Sequence, residues 1–161
     1  MRPEPEFIQT IKDNEGIIYK ITRVYTNNKE AQKDLYQEIV YQLWKSYDSF
    51  KGKSKISTWI YRVALNTSIA YLNREKRSVP SVHVNFDLLN KAEEKDDLLE
   101  ERLQILYAHI RELNVIEKGL ILLYLEGKSY DEIAAITGFT STNVGTRLGR
   151  IKQKLKTNIQ K

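Results

Sequence analysis

The sequence predicts an all-α protein built from two small helical domains joined by a flexible acidic linker. Three observations lead there. Apolar residues recur at helical spacing toward both ends of the chain, and nothing alternates as a strand over much length. Seven glycines and three prolines in 161 residues leave room for long helices. Charge falls in blocks: residues 1–77 hold 14 basic and 9 acidic side chains, residues 78–101 hold 2 and 7, and residues 102–161 hold 10 and 5. Two basic blocks around an acidic one suit two contacts with a single polyanion. We place the domains at residues 1–77 and 98–161, with the linker at 78–97.

The N-terminal block reads as three helices. Phe7, Ile11, Ile18, Ile21 and Tyr25 mark the first, loosened at Gly16, and Asn27-Asn28 ends it. The second runs from about Glu30 to Tyr47, with Tyr36, Ile39, Val40, Leu43, Trp44 and Tyr47 on one face. Asp34, Gln37, Glu38 and Tyr41 form a second, more polar stripe at +3, +4 and +7. A loop from Asp48 to Lys55 carries Gly52 and three lysines. Ser57 is expected to cap the third helix, which runs to about Lys76 with Ile60, Val63, Ala64 and Tyr71 inward. Three amphipathic helices can bury a common core, although a block of this size is marginal alone.

The linker holds Pro80, several Ser and Asn residues and no sustained period; Val82, Val84 and Phe86 suit a short extended stretch. Helix resumes near Asp97. The C-terminal end is the most specific part of the chain: SYDEIAAITGFTSTNVGTRLGRIKQKLK, from Ser129 to Lys156. Ser129 and Glu132 have capping-box spacing. Ile133, Ala134 and Ile136 give that helix a buried side, and Gly138 ends it in the left-handed turn glycine favours. Thr140 or Ser141 caps a second helix with an apolar stripe of Val144, Leu148, Ile151 and Leu155. Thr142, Asn143, Thr146, Arg147 and Arg150 lie off the stripe, and from Ser141 onward there are six Lys or Arg and no acid. A short helix, a glycine turn and a basic second helix make a helix-turn-helix that fits a DNA major groove, or else a helical hairpin with a solvated cationic face.

Composition excludes several classes. Without cysteine there are no disulfides and no thiolate chemistry. No apolar run approaches the roughly 18 residues of a membrane span, and MRPEPEFIQT lacks the order of a signal peptide, so a cytoplasmic protein is expected. His83 and His109 have no metal-ligand cluster around them, and no phosphate-binding glycine loop occurs. We expect no enzyme, no cofactor and no metal.

DLYQEIVYQLW and SFKGKSKISTWIYRVALNTSIAYLNREKR resemble region 2 of bacterial sigma factors of the extracytoplasmic-function type, within the sigma-70 family. LEGKSYDEIAAITGFTSTNVGTRLGRIKQKLK resembles their region 4. The match runs in order along nearly the whole chain. It implies a transcription initiation factor that binds core RNA polymerase, directs it to promoter DNA and helps open the −10 element. An anti-sigma factor or another recruiting protein is a further possible partner. The resemblance assigns Asp34, Gln37, Glu38, Tyr41, Leu43 and Trp44 to polymerase docking. Carboxylates beside apolar side chains suit a basic, partly apolar helix, or simply a solvated face. Capture of the −10 strand falls to Lys51, Lys53, Lys55, Trp59, Arg62, Asn66, Arg74, Lys76 and Arg77, with Asn66 matching a base-reading position. Cations along a backbone and aromatic platforms hold unstacked bases without enzymatic chemistry; Trp59 and Tyr61 equally suit core packing. Reading of the −35 element falls to Ser141, Thr142, Asn143, Gly145, Thr146, Arg147, Gly149 and Arg150.

Two departures stand out. Trp59 is followed by Ile60, where primary sigma factors carry adjacent tryptophans, which implies weaker melting. Gly145 and Gly149 sit where relatives often carry larger polar side chains. Each costs a helix interior about 1 kcal/mol. Either the backbone approaches DNA closely, or −35 readout is weak, or these positions never met a base. A stand-alone helix-turn-helix regulator or a protein-interaction module with a basic tail are the competing classes.

Overall fold

The computed structural model describes residues 4–50, 52, 54–77 and 97–159, and among them there are only helices, turns and loops. The helices are α1 (Glu4–Asp13), α2 (Glu15–Tyr25), α3 (Lys29–Ser46), α4 (Ile56–Arg77), α5 (Asp97–Arg111), α6 (Val115–Leu125), α7 (Tyr130–Thr137) and α8 (Ser141–Ile159). The linker expected at 78–97 falls outside the described residues except for Asp97, and so do the Val82–Phe86 alternation and His83.

The first expected helix is two. The break comes at Asn14, not Gly16. Asn14 leaves helical geometry at φ −124°. Its backbone N–H donates to Ile11 O at 3.1 Å and its side-chain amide to Thr10 O at 2.8 Å, so it folds back on the turn before it. Asn28 then caps α3 by accepting from Ala31 N–H at 2.7 Å. A tight turn at Tyr47–Ser49 follows α3. The start of α4 is one residue ahead of the expected Ser57 cap: Ile56 is already helical, and Trp59 N–H donates to Lys55 O at 3.2 Å. The N-terminal half is therefore four helices. Ile18, Ile21 and Val24 of α2, Leu35, Ile39 and Leu43 of α3, and Ile60 and Ala64 of α4 form its core, each fully buried. Burying one Ile or Leu side chain stabilises by about 1.5–3 kcal/mol.

In the C-terminal half, Asn114 and Glu117 close a capping box at the start of α6. Residues Lys118 to Leu123 of α6 are buried without interruption, the pattern of a helix covered all round. Ser129 and Glu132 form the capping box read from the sequence, and Gly138 ends α7 at φ 88°. Thr140 caps α8, accepting from Asn143 N–H at 3.1 Å. Val144, Leu148, Ile151 and Leu155 are all buried, as their spacing predicts.

The halves pack on each other. Helix α6 lies against α2 and α4 as well as α8, and α7 lies against α4. Tyr25 Oη donates to Val115 O across this seam at 2.7 Å, and burial pushes its phenol well above the usual range.

Candidate nucleic-acid and partner interfaces

The first candidate surface is the outward side of α3. Asp34, Gln37 and Tyr41 are exposed along it, and Glu38 is half-buried with a carboxylate oxygen 3.7 Å from Arg74 Nη2. Gln37 and Tyr41 also line an apolar groove of about 480 Å3, completed by Phe7 and Ile8 of α1 and by Tyr36, Val40 and Trp44 of α3. The Trp44 ring meets Phe7 edge-on at 5.0 Å, so it serves both core and groove. Sequence reasoning missed the part played by α1. Its signal was the adjacent pair Phe7-Ile8, of which one member is buried and the other 46% exposed. One assignment needs correcting. Leu43 is fully buried, facing the core beside Leu35 and Ile39, and has no surface to offer a partner.

The second surface is α4. Lys55, Trp59, Arg62 and Asn66 follow at +4, +3 and +4, which places them on one side. Lys55, Arg62, Asn66 and Arg74 are exposed. Trp59 is only 7% exposed, with its ring centroid 5.1 Å from Phe50 and 6.1 Å from Tyr47. The indole therefore offers no open stacking face in this arrangement. Tyr61 is buried too; its hydroxyl donates to Glu126 Oε1 at 3.5 Å, and burial, then the Glu126 charge, push the phenol up. Lys51 and Lys53 lie outside the described residues, as do the side chains of Lys76 and Arg77, whose backbone ends α4.

The third surface is α8. Thr142, Thr146, Gly149, Arg150 and Gln153 are exposed along one side. Arg147 is tethered: Nε donates to Asn143 Oδ1 at 3.1 Å and its guanidinium lies 4.5 Å over the Phe139 ring. Ser141 Oγ donates to the Asp131 carboxylate. Gly145 is not on the open face. A Cβ there would come 3.2 Å from Tyr130 Cε2, whereas one at Gly149 would meet nothing within 4 Å. Gly145 is thus explained by packing of α7 on α8. In the first turn of α7, the Glu132 carboxyl is held below the usual range by the Ser129 backbone N–H and hydroxyl, with Lys128 and Lys55 adding to the effect.

No metal centre is suggested: among the described residues no three His, Asp or Glu side chains converge, and His109 has only Glu112 at 4.0 Å. No described helix is long and apolar enough to cross a membrane.

Residues 10–78 match the family model for sigma-70 region 2, and residues 103–155 match that for sigma-70 region 4. The ECF RNA polymerase sigma-E factor of Escherichia coli K12 is 32% identical over 139 residues, covering 79% of this chain and 73% of that protein. The sigma-E factor of Haemophilus influenzae is 30% identical over 139 residues, covering 79% and 74%. Among solved structures, the sigma factor RpoE in complex with the anti-sigma factor NepR from Bartonella quintana aligns at a TM-score of 0.72 and 19% identity, over 96% of this chain and 97% of that one. CnrH in complex with the cytosolic domain of CnrY aligns at 0.69 and 19%, over 96% and 87%. Region 2 ends with α4, region 4 spans the helix-turn-helix of α7 and α8, and the relatives carry both in the same order: the chain belongs to the ECF sigma factors of the sigma-70 family.

Proposed function

We propose that this transcription initiation factor, itself without enzymatic activity, docks on core RNA polymerase through α3 and divides promoter reading between α4 and α8, working in the cytoplasm. The stripe of exposed Asp34, Gln37 and Tyr41 with half-buried Glu38, beside the apolar groove, carries the docking assignment. A partner helix with basic residues opposite the carboxylates and one bulky apolar side chain in the groove fits both features. Residues 1–77 serve docking and the −10 element, residues 98–161 the −35 element, and 78–97 the join.

Lys55 just before α4, and Arg62, Asn66 and Arg74 on it, supply cations and an amide to an unstacked strand, together with Lys51 and Lys53 of the preceding loop and Lys76 and Arg77 at the helix end. On α8, Thr142, Thr146 and Arg150 face outward and Asn143 with Arg147 forms a hydrogen-bonded pair at its edge. These groups suit phosphates as well as bases, and phosphate contacts position a helix without reading sequence. The likeness to a sigma factor co-crystallised with an anti-sigma factor supports a protein antagonist as a further partner of this chain.

Co-purification with core polymerase, followed by run-off transcription, tests the reading. The expected result is a stable complex that starts transcripts from defined promoters, with tight promoter binding only in the complex. Tight, sequence-specific duplex binding by the isolated chain would instead indicate a stand-alone regulator.

A further inference from the structure

We propose that Phe139, in the turn between α7 and α8, is a positioning residue for DNA contact: with Asn143 it holds Arg147 in one pose, as a two-pronged clamp for a backbone phosphate at the edge of α8. The proposal rests on the assignment of α8 to promoter DNA made above.

The arginine is held from two directions. Arg147 follows Asn143 by about one helical turn, and its Nε donates to Asn143 Oδ1 at 3.1 Å. Its guanidinium lies 4.5 Å over the Phe139 ring, inside the distance at which a cation is drawn to an aromatic face. Each holder is itself fixed. Phe139 comes directly after Gly138, whose φ of 88° turns the chain out of α7. The Phe139 N–H donates to Thr137 Oγ1 at 3.3 Å, and its half-buried ring packs against the core. The Asn143 N–H donates to Thr140 Oγ1, the cap of α8, at 3.1 Å. The turn thus sets the platform, and the cap sets the tether.

With Nε committed to Asn143, the two Nη groups are left as a planar fork. No described residue accepts from either, and no described carboxylate pairs with the side chain. Two parallel N–H groups match two oxygens of one phosphate, which a lysine, as a point charge, does not. The position suits a phosphate better than a base. Arg147 is half-buried and flanks the exposed row of Thr142, Thr146 and Gly149 without lying in it. Arg150 carries the same charge on the same helix, but it is exposed, and no described residue holds it. The two arginines therefore differ in freedom, not in charge. Ordering a long side chain on binding costs about two- to tenfold in affinity, and in Arg147 the fold has already done the ordering.

The test uses the complex with core polymerase and measures its affinity for duplex promoter DNA over a range of salt. Arg147→Ala should weaken binding and reduce the slope of log affinity against log salt by about 0.9, the loss of one phosphate contact. Phe139→Leu keeps an apolar side chain in the turn and removes the aromatic face. It should weaken binding about two- to tenfold with the slope unchanged, because the freed arginine still reaches the phosphate. The loss should be even across −35 sequences. Phe139→Tyr, which keeps the face, should bind as the parent does.

The decisive comparison combines the changes. In the Arg147→Ala background, Phe139→Leu should cost nothing further. A ring that merely packs the turn would lose the same fraction in both backgrounds, and that result overturns the proposal. Full parent affinity in Phe139→Leu overturns it as well. If Phe139→Leu lowers the melting temperature sharply, Asn143→Ala, which removes the other holder, runs through the same cycle with the same expectation. Losses confined to particular −35 sequences would make Arg147 a base reader and overturn the clamp. Parent affinity in Arg147→Ala would take Arg147 off the DNA surface altogether, whereas a loss there without coupling to Phe139 sinks the positioning role and leaves the assignment of α8 standing.

Discussion

The ring of Tyr130, the first residue of α7, occupies the space into which a side chain at Gly145 of α8 would project, with Cε2 only 3.2 Å from the Cβ position. The two glycines of the recognition helix thus have different reasons to exist. One is a packing residue between the helices of the helix-turn-helix. The other, Gly149, faces open space.

Alanine at Gly149 should therefore stabilise the chain by about 1 kcal/mol, raising the melting temperature by about 2–4 °C. Alanine at Gly145 should give clearly less, because the half-exposed Tyr130 ring must move. Combining Gly145→Ala with Tyr130→Ala should recover the lost increment, a coupling of about 0.5 kcal/mol or more. Equal gains at the two glycines, measured by thermal unfolding, would contradict this account.

Gly149 brings no side chain to a base, and Arg150 and Thr146 suit phosphates. Reading of the −35 element should therefore be relaxed. One good base contact is worth about 1–3 kcal/mol of discrimination, so its absence flattens preference about tenfold to a hundredfold. Transcription from libraries randomised separately at −35 and −10 measures this, and Arg150→Ala should lower output evenly across −35 variants. A −35 motif as sharp as the −10 motif would mean that the backbone at Gly149 does the reading.

Asp34→Ala with Glu38→Lys should weaken competition for core polymerase against another sigma factor. Thermal stability should hardly change. The Glu38–Arg74 pair is 3.7 Å apart with the arginine side chain 61% exposed, and such pairs contribute about 0–1 kcal/mol. A double variant that competes as well as the parent chain would remove α3 from the docking surface.

On α4, Asn66→Ala and Trp59→Ala should both impair bubble formation more than initial binding, but by different routes. Asn66 is exposed, so its loss should leave melting temperature unchanged. Trp59 is packed against Phe50, and truncating it should cost about 3–5 kcal/mol. Permanganate footprinting on duplex and pre-melted templates separates the two. Rescue of Asn66→Ala by a pre-melted template is expected. If Trp59→Ala were equally rescued at full stability, the indole would be a base contact and not core.

What could be read from the sequence was what neighbours within one turn or two decide. The Ser129–Glu132 box, Gly138 and the Val144–Leu155 stripe depend on residues three or four apart, so spacing reveals them. Helices α3, α4, α7 and α8 were legible for the same reason, whereas the α5–α6 break was not read. The break at Asn14 was missed because glycine looked the weaker link, while an asparagine hydrogen-bonding to Thr10 O made the turn. The spacing already set Leu43 on the apolar face of α3 and Tyr41 on its polar stripe, as the structure has them; the docking role given to Leu43 came from the resemblance and not from its position. The reason for Gly145 and the whole seam were beyond reach. Lys20 and Glu126 are 106 positions apart, and nothing local marks either as a partner.

Helix α6 has a consequence for how the protein is made. Its buried run leaves no side ready for water, and Gly119 fits against Tyr25 and Leu65 from the other half. During synthesis α2 and α4 emerge first, with the patch that receives α6 still bare. Until α6 leaves the ribosome, that patch is open to chaperones and proteases. Cutting the chain at the linker would recreate the same condition permanently, so separately expressed halves should be less soluble than the whole.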